Sequence, residues 1–298
     1  MAEPTFGSPG PMPFRLLLDE AIRQARRHFR ALYPWVAIPL AAATTLTAVA
    51  QALWISRLTA DPGAFSTPLW APQVYLLALV NLALMTVAVM ALQVGTIDAL
   101  TGLPIDMKRA WRFALQGRVL IVLLLSGVME IASVFCCCIP ALFVLPLLSL
   151  VSPVMVQEGR FGFDPISRSS ELAMYDEGRG FFARPWAKAL LLLVVGVLLS
   201  YAVGLVVSLP FQIPMWIDMF RSAAAGEDVM QKMPTWIWLQ VPGQFLNALA
   251  SSAVYLYMCF GISLLYFDTR ARKEGADLVG EIDAMFAAPS PPPGDQSF

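Results

Sequence analysis

Long apolar runs alternate with short polar segments along the whole chain, and the runs carry almost no charge. The stretch from Val119 to Gln157 holds a single charged side chain, Glu130. It breaks at Ile139-Pro140, where proline removes a backbone donor and clashes with the preceding helical turn. Residues 119–138 are long enough to cross a hydrocarbon core of about 30 Å at about 1.5 Å per residue, and 141–157 is about the shortest run that returns. Applied to the whole chain, the same pattern predicts six spans, at about 32–55, 74–100, 119–138, 141–157, 186–209 and 238–267. The expected fold is an all-α integral membrane protein whose six transmembrane helices form three hairpins. A single membrane domain over 13–285 is expected between a disordered N-terminus, 1–12, and a disordered tail, 286–298. Pro242-Gly243 leaves the start of the sixth span open, with 236–240 as an interfacial lead-in.

The segments between the runs have a different rhythm. After Pro13, the residues Phe14, Leu17, Leu18, Ala21, Ile22 and Ala25 fall on one helical face, with Arg15, Asp19, Arg23 and Arg27 largely elsewhere. That is the pattern of a helix lying in a membrane interface. Pro13-Phe14, Pro104-Ile105 and Pro165-Ile166 each open such a segment, and each segment leads into a hairpin. The chain thus reads as a weak repeat of a cytoplasmic amphipathic, interfacial helix followed by a hairpin. Asp164-Pro165 is expected to supply an N-cap and a first turn. The connection 210–235 is apolar enough to lie along the outer surface.

Composition sharpens this picture. The chain is 58% hydrophobic and 14% charged, whereas a soluble domain carries about 25% charged residues. The formal net charge of −1 gives no bulk attraction to nucleic acid, so no such partner is expected. Lys and Arg gather in the connections of one side, and only Arg57, Arg221 and Lys232 fall on the other. The positive-inside rule then places both termini in the cytoplasm. Met1–Met12 has no apolar core of a signal peptide, so the first span is expected to act as an uncleaved anchor.

Candidate chemistry is sparse. Cys136, Cys137 and Cys138 diverge around a helix and, with Cys259, read as small apolar filler. His28 is the only histidine, which argues against histidine metal sites and Ser/His/Asp triads. No cofactor or metal is expected. Glu130 is the sharpest residue, because a carboxylate in hydrocarbon is costly and turns toward protein or a cavity. Asn81, Asn247 and Gln244 lie at similar depth, so the four are expected to form one intramembrane polar cluster. It is either a proton or substrate site, or a protonated carboxyl hydrogen-bonded to amides that holds helices together. Asp98 reads as a boundary charge near Lys108 and Arg109.

A second cluster is expected on the cytoplasmic face, from Glu158, Arg168, Asp268, Arg270 and Glu274, with the segment after the fourth span meeting the segment after the sixth. These segments also carry a resemblance. The Glu158-Gly159 turn before the Arg168-Ser169 helix, and the terminal run Tyr266, Asp268, Arg270, Arg272, Glu274-Gly275, Asp277-Leu278, resemble a broad family of bacterial multi-pass proteins. The membrane domain attached to some glycerophosphodiester phosphodiesterases is similar. The resemblance implies a six-span layout and a bacterial inner-membrane location; it brings no catalysis, because the phosphodiesterase domain is absent from this sequence.

Three function classes remain. A non-enzymatic scaffold, or a subunit that organises lipids or a membrane partner, ranks first. A transporter of small solutes or lipids, with Glu130 in its polar site, ranks close behind. An intramembrane enzyme ranks last, for want of a nucleophile and base. Membrane lipids are the expected partners, with another membrane protein as the second option.

Overall fold

The computed structural model describes residues 12–60, 72–135, 139–175, 183–226 and 229–287. Every regular element among them is helical: α1 (Phe14–Ala60), α2 (Pro72–Thr101), α3 (Met107–Ala114), α4 (Gly117–Phe135), α5 (Ile139–Leu148), α6 (Val151–Glu158), α7 (Asp164–Ala173), α8 (Pro185–Ala224) and α9 (Val229–Ala287). Five segments are long and apolar enough to cross a membrane, in α1, α2, α5–α6, α8 and α9. A sixth arises if α3 and α4, which meet at a bend of 66°, count as one broken span. The chain is therefore an all-helical protein with multiple membrane-competent helices. The tripeptide Cys136–Cys138 and both termini, 1–11 and 288–298, lie outside the described residues.

Helix continuity departs from the expectation. The interfacial helix and the first span are one 47-residue helix that runs through Pro34 and Pro39. The connection 210–235 does not lie along a surface as a separate segment. α8 continues through Pro210 and Pro214 to Ala224, and α9 resumes at Val229 and runs through Pro242. Pro210 opens the expected connection, yet apolar helices tolerate proline where neighbouring groups satisfy the freed carbonyl. Here α8 and α9 pack along each other. Their extensions are tied by Trp236 Nε1 donating to Asp218 over 2.7 Å and Lys232 Nζ donating to Ser222 Oγ over 2.9 Å.

Other boundaries follow local chemistry. α3 is capped by Asp106, whose carboxylate accepts from the amides of Lys108 and Arg109 at 3.0 and 3.2 Å. α6 ends at Glu158 because Gly159 takes φ 63°, the left-handed cap that favours glycine. At α7 the expected cap is off by one residue: Phe163 is the N-cap and Asp164 sits in the first turn. The amides of Ile166 and Ser167 both bond to the Phe163 carbonyl at 3.1 Å. The fourth span breaks at Ser149-Leu150, between α5 and α6. Pro153 has no N–H for the Ser149 carbonyl. The break is sealed by side chains: the Ser149 hydroxyl donates to Pro146 O over 2.7 Å, and the buried Ser169 hydroxyl of α7 donates to Leu147 O.

The main core joins α1, α2 and α9, with Leu32, Met90, Leu92 and Phe260 fully or nearly fully buried. Side chains from α3, α6 and α7, among them Ala110, Val154, Met155 and Leu172, continue it at the charged end. By contrast α8 exposes Val197, Leu198, Tyr201 and Val206.

Candidate functional site

Two short helices, α6 and α7, and the end of one long helix, α9, converge at the charged end. Gly159 turns the chain after α6, so Glu158 points back toward α9 as Arg168 arrives on α7. Arg168 Nε donates to Glu158 Oε1 over 3.3 Å, and Arg160 approaches the other oxygen at 2.9 Å. Arg168 also reaches Glu171 at 3.1 Å and Glu274 of α9 at 3.5 Å. On α9 the Arg270–Glu274 pair, at 2.7 Å, has the i,i+4 spacing that places two side chains on one helical face. Tyr266 completes a ring. Its hydroxyl donates to Glu158 Oε1 over 3.1 Å and accepts from Arg270 Nη1 over 3.2 Å. Lys273 pairs with Glu171 outside the ring.

The structure thus brings together Glu158, Arg168, Arg270 and Glu274 of the expected cytoplasmic cluster and sets Asp268 apart. Asp268 pairs with Arg272 at 2.8 Å and lies 3.8 Å from Lys188, whose side chain is 2% exposed. Its other oxygen accepts from the Met12 amide at 3.3 Å, and Lys188 Nζ donates to the Met12 carbonyl at 2.7 Å. The start of α1, the start of α8 and the end of α9's apolar stretch are therefore pinned at one point. The i,i+4 spacing of Asp268 and Arg272 was the available signal. By charge alone, Arg272 and Lys188 look no different from the other cations on that side.

Electrostatics follow the geometry. The Lys273 hydrogen bond, helped by Arg168, holds the Glu171 carboxyl below the usual carboxylate range against a smaller opposing effect of burial. Arg168 is held more firmly protonated: desolvation works against its charge, and hydrogen bonds and attraction from Glu171 and Glu158 outweigh it.

The four residues of the expected intramembrane cluster are not joined by any hydrogen bond to one another. Half-buried Glu130 lies on α4, which packs chiefly on α5. The faces of α2 are already taken by α1, α3, α6 and α9. Asn247 turns toward α8, where a Cβ on Gly204 would lie 3.0 Å from its Oδ1. Gln244 is exposed and Asn81 half-buried. A different polar set, not read from the sequence, occupies the bundle interior. Gln93 Nε2 donates to Ser263 Oγ over 2.6 Å, and Thr96 lies 3.3 Å from the same hydroxyl, all three buried between α2 and α9. Isolated polar residues in apolar runs do not announce their partners. One turn along α2, buried Asp98 pairs with Arg109 at 2.6 Å, as its boundary position suggested.

Compared with known proteins, the chain matches no family model, no curated protein and no solved structure.

Proposed function

We propose that this chain is a non-enzymatic multi-pass protein of the bacterial inner membrane, with both termini cytoplasmic, that organises lipids or another membrane protein. The observation that carries the reading is the contrast along α8 and its neighbours. One end is fixed by the charge ring and the Asp268 cluster. The rest of α8 turns Val197, Leu198, Tyr201, Val206 and Phe220 outward, uncovered by any other described residue. A fixed polar base with a long apolar flank suits contact with lipid chains or partner helices. The 66° bend between α3 and α4 supports an interfacial placement of α3, whose Lys108, Arg109 and Arg112 are exposed while Met107, Ala110 and Ala114 are buried. The distribution of Lys and Arg supports the orientation, and the resemblance noted above supports the bacterial setting.

The transport reading keeps one specific support, the half-buried carboxyl of Glu130 in an apolar helix. Reconstitution separates the two. The scaffold reading expects co-purification of a membrane partner or retained lipid, and no solute or lipid flux across vesicles. Flux that disappears in Glu130→Gln would overturn it in favour of transport.

A further inference from the structure

α2, α3 and α6 border an open cleft of about 300 Å³, lined by Val94, Arg109, Arg112, Phe113, Gln116 and Val156. Its chemistry is two-sided. Val94, Phe113 and Val156 supply an apolar floor, and the remaining three residues supply donors. Arg109 spends one terminal nitrogen on Asp98, at 2.6 Å, yet 57% of its side chain stays exposed. Asp98 therefore orients this guanidinium and cancels part of its charge. Arg112 is exposed and pairs with no acid among the described residues. Gln116 Oε1 accepts from Arg118 Nε over 2.9 Å, which leaves the Gln116 amide N–H₂ as its available donor. Arg118 is itself held 4.0 Å over the Phe161 ring, adding positive charge beside the cleft.

We infer that this cleft binds the phosphate of an anionic glycerophospholipid, with Arg112 and Arg109 on the phosphate oxygens and the apolar floor against the first methylenes of a chain. Guanidinium forks match phosphate geometry, and basic pockets between helices at a membrane boundary hold anionic headgroups. A free phosphate ion would use the arginines and leave the partly exposed Phe113 and Val156 facing water, so the floor favours the lipid. The inference rests on the membrane reading proposed above.

The test uses the full chain, delipidated in neutral detergent, titrated by native mass spectrometry with phosphatidylglycerol, phosphatidylcholine or inorganic phosphate. Phosphatidylglycerol should bind at least about fivefold more tightly than phosphatidylcholine, and Arg112→Gln should weaken it by about fivefold, the effect of one basic group near an anionic surface. Arg109→Lys, which keeps a cation for Asp98 and loses the fork, should also weaken it. Arg30→Gln, an exposed α1 arginine that does not line the cleft, should change nothing. Equal affinity for the two lipids, or an equal loss in Arg30→Gln, would overturn the site. Displacement of the lipid by equimolar inorganic phosphate would overturn the lipid assignment. Flotation of the same protein with phosphatidylcholine vesicles separates the two levels: no flotation sinks the membrane reading as well, whereas flotation without phosphatidylglycerol preference sinks this site alone.

Discussion

Tyr266 and Glu158 meet across the charged end of the bundle: the fully buried phenol donates to Glu158 Oε1 over 3.1 Å while accepting from Arg270 over 3.2 Å. One hydroxyl therefore uses both its donor and its acceptor capacity on charged partners. Tyr266→Phe keeps the packed ring and removes only this bridge. Hydrogen bonds to charged groups are worth about 1.5–3 kcal/mol, so thermal or denaturant unfolding in mild detergent should show a loss in that range. A change of a few tenths of a kcal/mol would mean that water replaces the hydroxyl and the ring does not act as a unit.

Glu171, beside the ring, also predicts an acid response. In the folded protein the Glu171 carboxyl is held below the ordinary glutamate range, first by the Lys273 hydrogen bond. A depressed carboxylate contributes stability that is present above the unfolded-state value and is lost as pH falls through the folded one. The wild type should therefore lose stability more steeply below about pH 4.5 than Glu171→Gln does, while the two run parallel near neutrality. Melting temperatures across that range are the measurement; identical acid limbs would remove Glu171 from the linkage.

How much of this was legible in the sequence depends on the kind of signal. Gly159 could be read because backbone sterics act locally, while the break expected at Ile139-Pro140 adjoins 136–138, outside the described residues. The apolar spans could be read because bilayer thickness sets their length. Helix length beyond the spans could not: Pro210 and Pro214 look like stops, and only the packing of α8 against α9 shows why they are not. The charge ring was half legible. Arg168 and Glu274 lie in segments that the sequence expects to meet, whereas Tyr266 appears there only within a motif, and Asp268 turns to Arg272 and Lys188 instead of joining the ring. A sequence shows which charges are near in the chain; long-range partners come from the fold. Gln93 and Ser263, 170 positions apart, illustrate the limit.

The Asp268 cluster makes a specific claim about rescue. Asp268→Arg should sharply reduce the yield of monodisperse protein, because it places a cation beside Arg272 and near the buried Lys188 ammonium. Adding Arg272→Asp should restore only part of the yield, since Lys188 remains. Adding Arg168→Asp instead should restore none, because Arg168 belongs to the other cluster. Size-exclusion profiles of the single and double variants decide it, and full rescue by Arg168→Asp would contradict the separation of the two clusters.

Glycines divide by what surrounds them. A Cβ on Gly95 would lie 2.6 Å from Leu32 Cδ2 and 2.9 Å from Met107 Sδ, whereas one on Gly127 would meet nothing within 4 Å. Gly95 lets α2 approach α1 and α3; Gly127 faces open space among the described residues. Gly95→Ala should cost about 1–3 kcal/mol through overpacking. Gly127→Ala should be neutral or stabilise by up to about 1 kcal/mol through helix propensity. A clear loss from Gly127→Ala in detergent would instead reveal that this face is packed against something, and would direct the search for a partner to α4.

The orientation can be tested at two described surface positions. Phe163 is exposed in the turn before α7, at the same end as Arg168. Ala224 is exposed at the far end of α8, beyond a 40-residue helix about 60 Å long. That length exceeds the hydrocarbon core about twofold, so the end of α8 must project well past one surface if the helix crosses it. In a background with all native cysteines replaced, Ala224→Cys should react with an impermeant thiol reagent added to intact cells. Phe163→Cys should react only after the cells are opened, because the arginine-rich end is retained inside. The reverse pattern would invert the protein and move the charge ring to the outer face. Labelling of both sites in intact cells would place the two ends of α8 on one side, and the membrane-crossing reading of that helix would fail.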